Sequence, residues 1–403
     1  MNSLFIALIR ALRSHRWLRL LGCAFILSSL GNGLTQVVVF GQLLRWHASP
    51  STLTLAYLLA MLPGFLGSMW GERLCRRIPP VRVLILSEML GLLALIFPLY
   101  GLLSQNIPAL LAVQSAEALF TGMSYPALTL LFKRGLSTEE LPAATAMETL
   151  IFASQVLLGT GAGILLFDVL SPLSLLALDG ISFTASASLL LGTSAVFHRL
   201  HHNATRPMTP ESPAKWRNFS PLQKRSVLLL PALAAVGSPA MALLPALAQQ
   251  IRPDEITGLA LPLLFARSLG QLCGPLLLSA EKLQRYSSGN CRLLFCLTLF
   301  LAGYFLLPHF STWTAGALLL IFGAHMASNV VFALGTYGVL RHFPGEHVAG
   351  ASAMAWRGQI IVATIVTGIA GLLAQNMGAV HALYTVSLFT LAGVAILFWR
   401  YQE

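Results

Sequence analysis

Residues 138–166, TEELPAATAMETLIFASQVLLGTGAGILL, decide the fold, because a related stretch lies 207 positions further along the chain. That second stretch, residues 345–373, reads GEHVAGASAMAWRGQIIVATIVTGIAGLL. The aligned positions with identical residues include the pairs Ala146/Ala353, Met147/Met354 and Gly161/Gly368. Each copy begins with a short polar turn and continues as a long apolar helix. A repeat at half the chain length predicts two copies of one structural unit.

The composition is that of a membrane protein. Of the 403 residues, 56% are hydrophobic and only 10% are charged, against about 25% charged in soluble domains. The mean hydropathy is +0.76. A soluble fold could not bury so much apolar surface, so the chain is predicted to be an all-α integral membrane protein.

Several functional classes are disfavoured by the motifs that the chain lacks. The five cysteines show neither metal-ligand spacing nor a paired framework, so neither a metal site nor a disulfide is predicted. No nucleotide-binding, zinc-protease or nucleophile motif occurs in the sequence. The prediction is therefore a protein that is not an enzyme and has no cofactor. ATP could drive it only through a separate subunit.

Twelve stretches of about 20 apolar residues can be placed along the chain as membrane-spanning helices. They lie near residues 19–43, 52–71, 82–104, 108–132, 142–167, 172–196, 225–250, 256–280, 292–309, 313–340, 350–375 and 378–399. The longest polar interval, rich in Pro, Ser, Arg and His, separates the first six from the last six. The predicted domains are a six-helix bundle over 1–197, a cytoplasmic linker over 198–224 and a second six-helix bundle over 225–403.

The positive charges predict the orientation in the membrane. Of the 25 Lys and Arg residues, 21 fall in segments that are cytoplasmic if the N-terminus is inside. Two fall in outer loops, Arg45 and Arg252, and two within spans, Arg267 and Arg357. This bias predicts cytoplasmic termini and an even number of spans. It also explains the net charge of +11 without nucleic acid. The arginine-rich first twenty residues are predicted to be a retained amphipathic segment on the cytoplasmic side.

The loop after the second predicted span, residues 68–77, reads SMWGERLCRR. With the 6+6 repeat and the central linker, it resembles the major facilitator superfamily, whose signature loop is G-x-L-A-D-R-x-G-R-R. Glu72 takes the acidic place, and Arg73, Arg76 and Arg77 take the basic places. The resemblance implies two six-helix bundles with pseudo-twofold symmetry, a substrate site at the midplane, and a gating role for this loop. The alternative is a simple cluster of positive-inside charge.

Short motifs along nearly the whole chain are similar to the multidrug and siderophore exporter branch, which includes macrolide efflux proteins and the enterobactin exporter. They are HRWLR at 15–19, SLGN at 29–32, SE at 87–88, YPA at 125–127 and ELPAA at 140–144. Asn32 stands where that branch usually has Asp. The glycines of the fifth span are similar to the antiporter motif, although ordinary helix packing is the alternative. These glycines are Gly159, Gly161 and Gly163.

Polar side chains inside a bilayer are costly and usually functional. The predicted substrate and proton pathway consists of Asn32, Gln36, Glu117, Arg267, His325 and Asn329. In the superfamily, spans 1, 4, 7 and 10 line the central cavity. Positions related by the 207-residue offset place a polar or bent feature on each of these four spans. For His325 alone, the alternative is a histidine hydrogen-bonded within the helix packing.

Other charged residues lie nearer the ends of their spans. Glu88, Glu148 and Arg357 are close to the cytoplasmic ends and are predicted to be structural or gating partners of the basic loops. Asp168 and Asp179 lie near the outer side, where a helix-end role is predicted.

The resemblance implies a secondary exporter of a small amphipathic or siderophore-like molecule, an antiporter driven by protons. It also implies a monomer in the bacterial inner membrane. Glu117 would carry the proton and Arg267 would attract negative or polar groups. One alternative is a translocator of lysophospholipid or another lipid, and a second is a membrane receptor or scaffold that transports nothing. The sequence does not identify the substrate.

Overall fold

The computed structural model describes residues 3–48, 50–167, 169–200, 215–251, 259–287, 289–310 and 312–401. Within these ranges the chain is helical, and the β-structure consists of an isolated antiparallel bridge between Ser3 and Ser279. Asp168, Arg252 and residues 201–214 of the predicted linker lie outside the described residues.

The described residues of the first half form ten helices, some of which join end to end. They are α1 (Leu4–Ser14), α2 (Arg16–Arg45), α3 (Pro50–Leu59), α4 (Pro63–Cys75), α5 (Pro80–Ala94), α6 (Ile96–Ser104), α7 (Ile107–Gly135), α8 (Leu141–Ser154), α9 (Gly161–Phe167) and α10 (Pro172–Leu200). A π-helical segment, Gln155–Thr160, connects α8 to α9. Proline stands at the start of several of these helices, where its missing N–H costs nothing.

Six further helices occur in the part of the second half that the structure describes. They are α11 (Pro221–Ile251), α12 (Ala260–Leu277), α13 (Ala280–Tyr286), α14 (Asn290–Leu306), α15 (Thr314–His342) and α16 (Val348–Trp399). Short 3-10 turns occur at Trp216–Asn218 and Leu307–Phe310. The long α16 contains a kink at Gly378, whose φ of 79° lies in the left-handed region that glycine adopts without strain.

Eight helical runs among the described residues are long and apolar enough to cross a membrane. The last of them covers two of the predicted spans, on either side of Gly378. The second predicted span is divided between α3 and α4, and the third between α5 and α6. The protein is therefore a helical membrane protein with multiple spans, while the number twelve stays a prediction.

The chain divides into two compact units. The N-terminal unit contains the described residues of Leu8–Ala214 together with Phe343–Ala353. The C-terminal unit contains those of Met1–Ala7, Lys215–His342 and Met354–Glu403. In the C-terminal unit, the backbone N–H of Leu4 donates to the carbonyl of Leu278 at 2.8 Å.

The repeat is visible in how each unit packs. In the N-terminal unit α4 lies against α7, and Gly67 faces the carbonyl oxygen of Leu119 so closely that a Cβ would collide with it. In the C-terminal unit α12 lies against α15, and Gly274 faces the carbonyl oxygen of Met326 in the same way. Both residues of the second pair lie 207 positions after those of the first. The offset found in the sequence therefore relates equivalent helix contacts.

A buried arginine joins three helices of the C-terminal unit. Arg225, on α11, is 0% exposed, and its Nε donates to Asn290 Oδ1 at 2.9 Å. Its two terminal nitrogens donate to the carbonyl oxygens of Ser287 and Gly289. The guanidinium also lies over the Phe398 ring of α16, 5.9 Å from its centroid. The charge is thus distributed over several acceptors and one aromatic face.

Candidate functional site

A row of polar side chains runs through the interior of the N-terminal unit, between α2, α5, α7 and α10. We call it the acidic seam, and it consists of Ser28, Thr35, Glu88, Glu117, Asp179, Ser182 and Ser186. Four of its members come from two helix faces, Ser28 and Thr35 on α2 and Ser182 and Ser186 on α10. Because α2 rises 1.5 Å per residue, Ser28 and Thr35 are about 10 Å apart along the helix axis.

Asp179 occupies one level of the acidic seam. Its carboxylate accepts hydrogen bonds from the hydroxyl of Thr35 on α2 and, at 3.1 Å, from that of Ser182 on its own helix. The side chain is 0% exposed. Gly31 makes the approach of α10 possible, because a Cβ at this position would overlap the Asp179 carboxylate and the Ser182 hydroxyl. The predicted helix-end role for Asp179 is therefore wrong, since packing against α2 places it inside the bundle.

Glu88 occupies the next level of the acidic seam. It is 6% exposed, and Ser28 donates to its Oε1 at 3.1 Å. Ser186 lies beside the same carboxyl group, but Oε2 has no hydrogen-bond partner. The charge of Asp179 acts on Glu88. The structure thus places Glu88, on α5, in an interior polar cluster, and its gating role stays a prediction.

Glu117, from α7, completes the acidic seam. Its Oε1 is buried without a hydrogen-bond partner, and its main electrostatic neighbour is Asp179. Among the described residues, no Lys or Arg pairs with Glu88, Glu117 or Asp179. Carboxylates that repel one another without a compensating cation do not all ionise together, so the seam is a candidate proton-binding site.

Glu148 is a further buried acid of the N-terminal unit. It lies on α8, is 5% exposed, and has no hydrogen-bond partner on either carboxyl oxygen. Its charge acts on Tyr125 of α7. A gating role for Glu148 stays a prediction.

The C-terminal unit holds a second polar cluster, made of Arg267 on α12, Tyr304 on α14 and His325 on α15. His325 is 1% exposed, and its Nε2 is hydrogen-bonded to the Tyr304 hydroxyl at 2.7 Å. The edge of the Phe300 ring packs on the imidazole, with centroids 5.2 Å apart. The structure therefore packs His325 within its own bundle, between α14 and α15. Arg267 is half-buried, and its charge acts on both Tyr304 and His325.

The amides predicted to lie in the pathway have different surroundings. Asn329 is 5% exposed and donates a hydrogen bond from its side chain to the carbonyl oxygen of Gln271. Asn32 is half-buried and its Oδ1 has no partner, while Gln36 lies one turn further along α2 and is also half-buried. The structure gives Asn329 a role in joining α15 to α12, whereas Asn32 keeps an acceptor available.

The remaining residues predicted to gate are exposed or half-buried. Arg76, just after the end of α4, donates to Glu72 on α4 at 3.0 Å. Arg73 and Arg77 are exposed, and Arg357 is half-buried on α16. Their gating role stays a prediction.

Two of the three motif glycines face α2. A Cβ at Gly159 would lie 2.7 Å from the carbonyl oxygen of Ser29 and 2.8 Å from the Cα of Gly33. A Cβ at Gly163 would lie 2.7 Å from Val37, whereas Gly161 has no neighbour within 4 Å. Gly159 is therefore a position where the two segments touch through their backbones, whereas Gly163 packs against the Val37 side chain.

Sequence reasoning missed the partners that complete both clusters, above all Asp179 as an interior acid and Tyr304 as the partner of His325. A signal for Asp179 was present, since it stands seven residues inside the apolar helix that begins at Pro172. Tyr304 gave no such signal, because a tyrosine in an apolar helix is common at membrane interfaces.

Comparison with known proteins agrees with this architecture. No family model matches the chain. A stretch of 71 residues is 66% identical to an uncharacterized 29.9 kDa protein from the crtE 3' region of Pseudescherichia vulneris. That match covers 18% of this chain and only 26% of the other protein.

Solved structures resemble the chain over almost its whole length. A bacterial homologue of the iron transporter ferroportin, in the outward-facing state, superposes with a TM-score of 0.71 at 16% identity over 96% of this chain and 99% of that one. The fucose:proton symporter FucP of E. coli superposes with a TM-score of 0.62 at 14% identity, over 96% and 98% of the two chains. FucP is a major facilitator superfamily transporter. The chain thus has the fold of that class of transporter.

The described part of the chain contains no group of three His, Cys, Asp or Glu side chains close enough to hold a metal ion.

Proposed function

We propose that the protein is a proton-coupled secondary exporter of a small amphipathic or siderophore-like molecule that works by alternating access. The acidic seam carries this proposal. A transporter driven by protons needs a carboxylate that can be loaded and unloaded, and Glu117, Glu88 and Asp179 are buried together without a basic partner in the described chain. The fold, shared with known transporters, supports the same conclusion.

In this mechanism the proton moves between members of the acidic seam. Thr35 and Ser182 donate to Asp179 and stabilise its ionised form. Glu117 has a carboxyl oxygen without a hydrogen-bond partner, which can take up a proton. A proton on Glu117 removes the repulsion between the carboxyl groups of Glu117 and Asp179. Loss of that proton restores the repulsion. The protonation state therefore changes the energy of packing among α2, α7 and α10, which is how proton movement can be linked to a conformational change.

The remaining roles follow the resemblance to the exporter branch. Transport is outward, and the protein is a monomer of the bacterial inner membrane with both termini in the cytoplasm. Arg267 attracts the negative or polar part of the substrate. Glu72, Arg73, Arg76 and Arg77 act with Glu148 and Arg357 as gating residues on the cytoplasmic side.

The test begins by finding the substrate. Cells that produce the protein are compared with cells that do not, by mass spectrometry of their small molecules, and the depleted compound is added to inside-out vesicles under an imposed pH gradient. We expect accumulation that stops when a protonophore abolishes the gradient. Accumulation that is indifferent to the gradient would exclude proton coupling, and a cell content unchanged by the protein would exclude export.

Variants of the acidic seam then test whether its buried carboxyl groups couple transport to protons. Glu117→Gln and Asp179→Asn mimic the protonated forms, so both are expected to exchange the compound across the membrane yet fail to concentrate it. Glu139→Gln removes an acid from an exposed position and serves as the matched control. Full uphill transport by both seam variants would contradict the assignment.

A further inference from the structure

The cluster of Arg267, Tyr304 and His325 contains donor groups that have no acceptor. Nε of Arg267 and Nδ1 of His325 are both buried, and neither has a hydrogen-bond partner within the described residues. A buried donor without an acceptor destabilises the fold, and more so when the donor is charged. Two such groups in one cluster indicate that a further acceptor belongs there.

The hydrogen bond from Tyr304 determines what His325 can offer. When the tyrosine hydroxyl donates to Nε2 at 2.7 Å, the neutral imidazole carries its proton on Nδ1. Nδ1 is then a donor, like Nε of Arg267. The opposite tautomer would leave an Nδ1 lone pair buried without a donor and the tyrosine proton without an acceptor. The tautomer with the proton on Nδ1 therefore leaves fewer buried polar atoms without a hydrogen-bond partner.

The charge of the cluster is also uncompensated. No Asp or Glu pairs with Arg267 among the described residues, and its electrostatic neighbours are Tyr304 and His325. A guanidinium within an apolar helix is expensive unless an anion or water accompanies it. Arg267 is half-buried, so a ligand can reach its exposed part. His325 is 1% exposed, so a ligand reaches Nδ1 only after the side chains around it move.

We propose that Arg267 and His325 bind the carboxylate of the transported molecule, and that Tyr304 positions the histidine so that Nδ1–H points to it. A carboxylate supplies the acceptors that both donors lack and the negative charge that Arg267 lacks. This assignment rests on the proposed transport function and narrows its substrate to molecules that carry an anionic group. Tyr304 acts through His325 and is a positioning residue.

The experiment measures binding to the purified full-length protein in lipid nanodiscs, without any gradient. The probes are benzoate, its neutral analogue benzamide, and inorganic phosphate as a second oxyanion. Binding is followed by the rise in unfolding temperature with probe concentration, which reports the dissociation constant. We expect benzoate to stabilise the wild type and benzamide to have at least a tenfold weaker effect. Stabilisation by phosphate but not by benzoate would show that the site binds a phosphate group and not a carboxylate, and so would overturn the proposed substrate class.

Variants assign the roles within the cluster. Arg267→Gln is expected to weaken benzoate binding at least tenfold, and Arg292→Gln is the control, because Arg292 is exposed and lies over the Tyr286 ring outside the cluster. Tyr304→Phe is expected to weaken binding several-fold in the wild-type background and to have no further effect once His325→Gln is present. A purely structural tyrosine would lower the unfolding temperature without this dependence on His325.

Three results would overturn the proposal: equal stabilisation by benzoate and benzamide, no stabilisation by either oxyanion, or wild-type benzoate affinity in Arg267→Gln. Because the assay uses no gradient, such a result leaves proton-driven transport in vesicles untouched. Conversely, failure of proton coupling in vesicles would not alter equilibrium binding of benzoate.

Discussion

The side-chain amide of Asn329 donates a hydrogen bond to the carbonyl oxygen of Gln271, four residues before Pro275. In a regular helix that carbonyl would accept from the N–H of residue 275, which proline lacks. Asn329 thus supplies the donor that Pro275 removes. In the N-terminal unit, the positions 207 residues earlier are Gly122 and Gly64, which also touch: a Cβ on Gly122 would overlap the Gly64 carbonyl oxygen. In the N-terminal unit this helix contact is made by two glycines, and in the C-terminal unit it is made by a hydrogen bond from a side-chain amide.

Replacing Asn329 tests whether its side-chain amide takes the place of the backbone N–H that Pro275 lacks. Asn329→Leu is expected to lower the free energy of unfolding by about 1–3 kcal/mol, because the Gln271 carbonyl is left buried without a donor. The measurement is thermal or denaturant unfolding of the purified protein. In a Pro275→Ala background the helix regains its own N–H, so the same Asn329→Leu change should cost clearly less. An equal loss of free energy of unfolding in both backgrounds would show that Asn329 does not compensate for the missing N–H of Pro275.

The contact between α2 and the π-helical segment is expected to be sensitive to a single methyl group. Gly159→Ala forces the backbones of Ser29 and Gly33 to move, which costs about 1–3 kcal/mol for overpacking. Gly161→Ala, two residues away with no neighbour within 4 Å, should leave the unfolding temperature nearly unchanged. Similar unfolding temperatures for the two variants would contradict the packing described here.

The buried arginine at the start of α11 is expected to require its guanidinium and not only its charge. Arg225→Lys keeps the positive charge but cannot reach Asn290, Ser287 and Gly289 together. Hydrogen bonds to charged groups contribute about 1.5–3 kcal/mol each, so a marked fall in unfolding temperature is expected. Lys224→Met, at the adjacent position, is the control. A stable Arg225→Lys protein would show that charge alone suffices.

A hydrogen-bonded carboxyl group outside the membrane spans predicts a dependence on pH. His15 and Glu140 are 2.8 Å apart, and Ser137 donates to the same carboxylate from its backbone and its hydroxyl. Partial burial raises the pKa of Glu140, but the hydrogen bonds from His15 and Ser137 outweigh it, so that this pKa lies below its ordinary value. A lowered pKa stabilises the fold above the ordinary glutamate value of about 4.3, and this contribution disappears as the pH falls through the folded-state value.

The corresponding experiment compares wild type with Glu140→Gln across this range. At pH 7 the wild type is expected to unfold at the higher temperature, and the difference should shrink as the pH falls below about 4.3. Glu139→Gln, at the exposed neighbouring position, should show no such convergence. A difference between wild type and Glu140→Gln that grows toward acid pH would have the opposite sign, and would exclude the hydrogen bonds to the Glu140 carboxylate as its cause.

The sequence by itself determined that this is a helical membrane protein built from a repeated unit. Hydropathy locates spans because the bilayer tolerates only long apolar segments whose backbone bonds are satisfied internally. The offset of 207 residues found in the second copy of the stretch is the same offset that relates the Gly67–Leu119 contact to the Gly274–Met326 contact. Glu117, Arg267 and His325 were recognisable as single costly residues, since each interrupts an apolar helix.

The tertiary structure alone decided which of these residues face one another. In a soluble helix the apolar stripe marks the buried face, but lipid is as apolar as the interior of a membrane protein, so this pattern is weak in spanning helices. The sequence could therefore not show that Asp179 turns toward Thr35, or that His325 turns toward Tyr304 and not away from it. Those contacts depend on where glycines such as Gly31 allow two helices to approach. Close packing of backbones, which no single helix encodes, brings the carboxylates of the acidic seam together and places Arg267 near Tyr304 and His325.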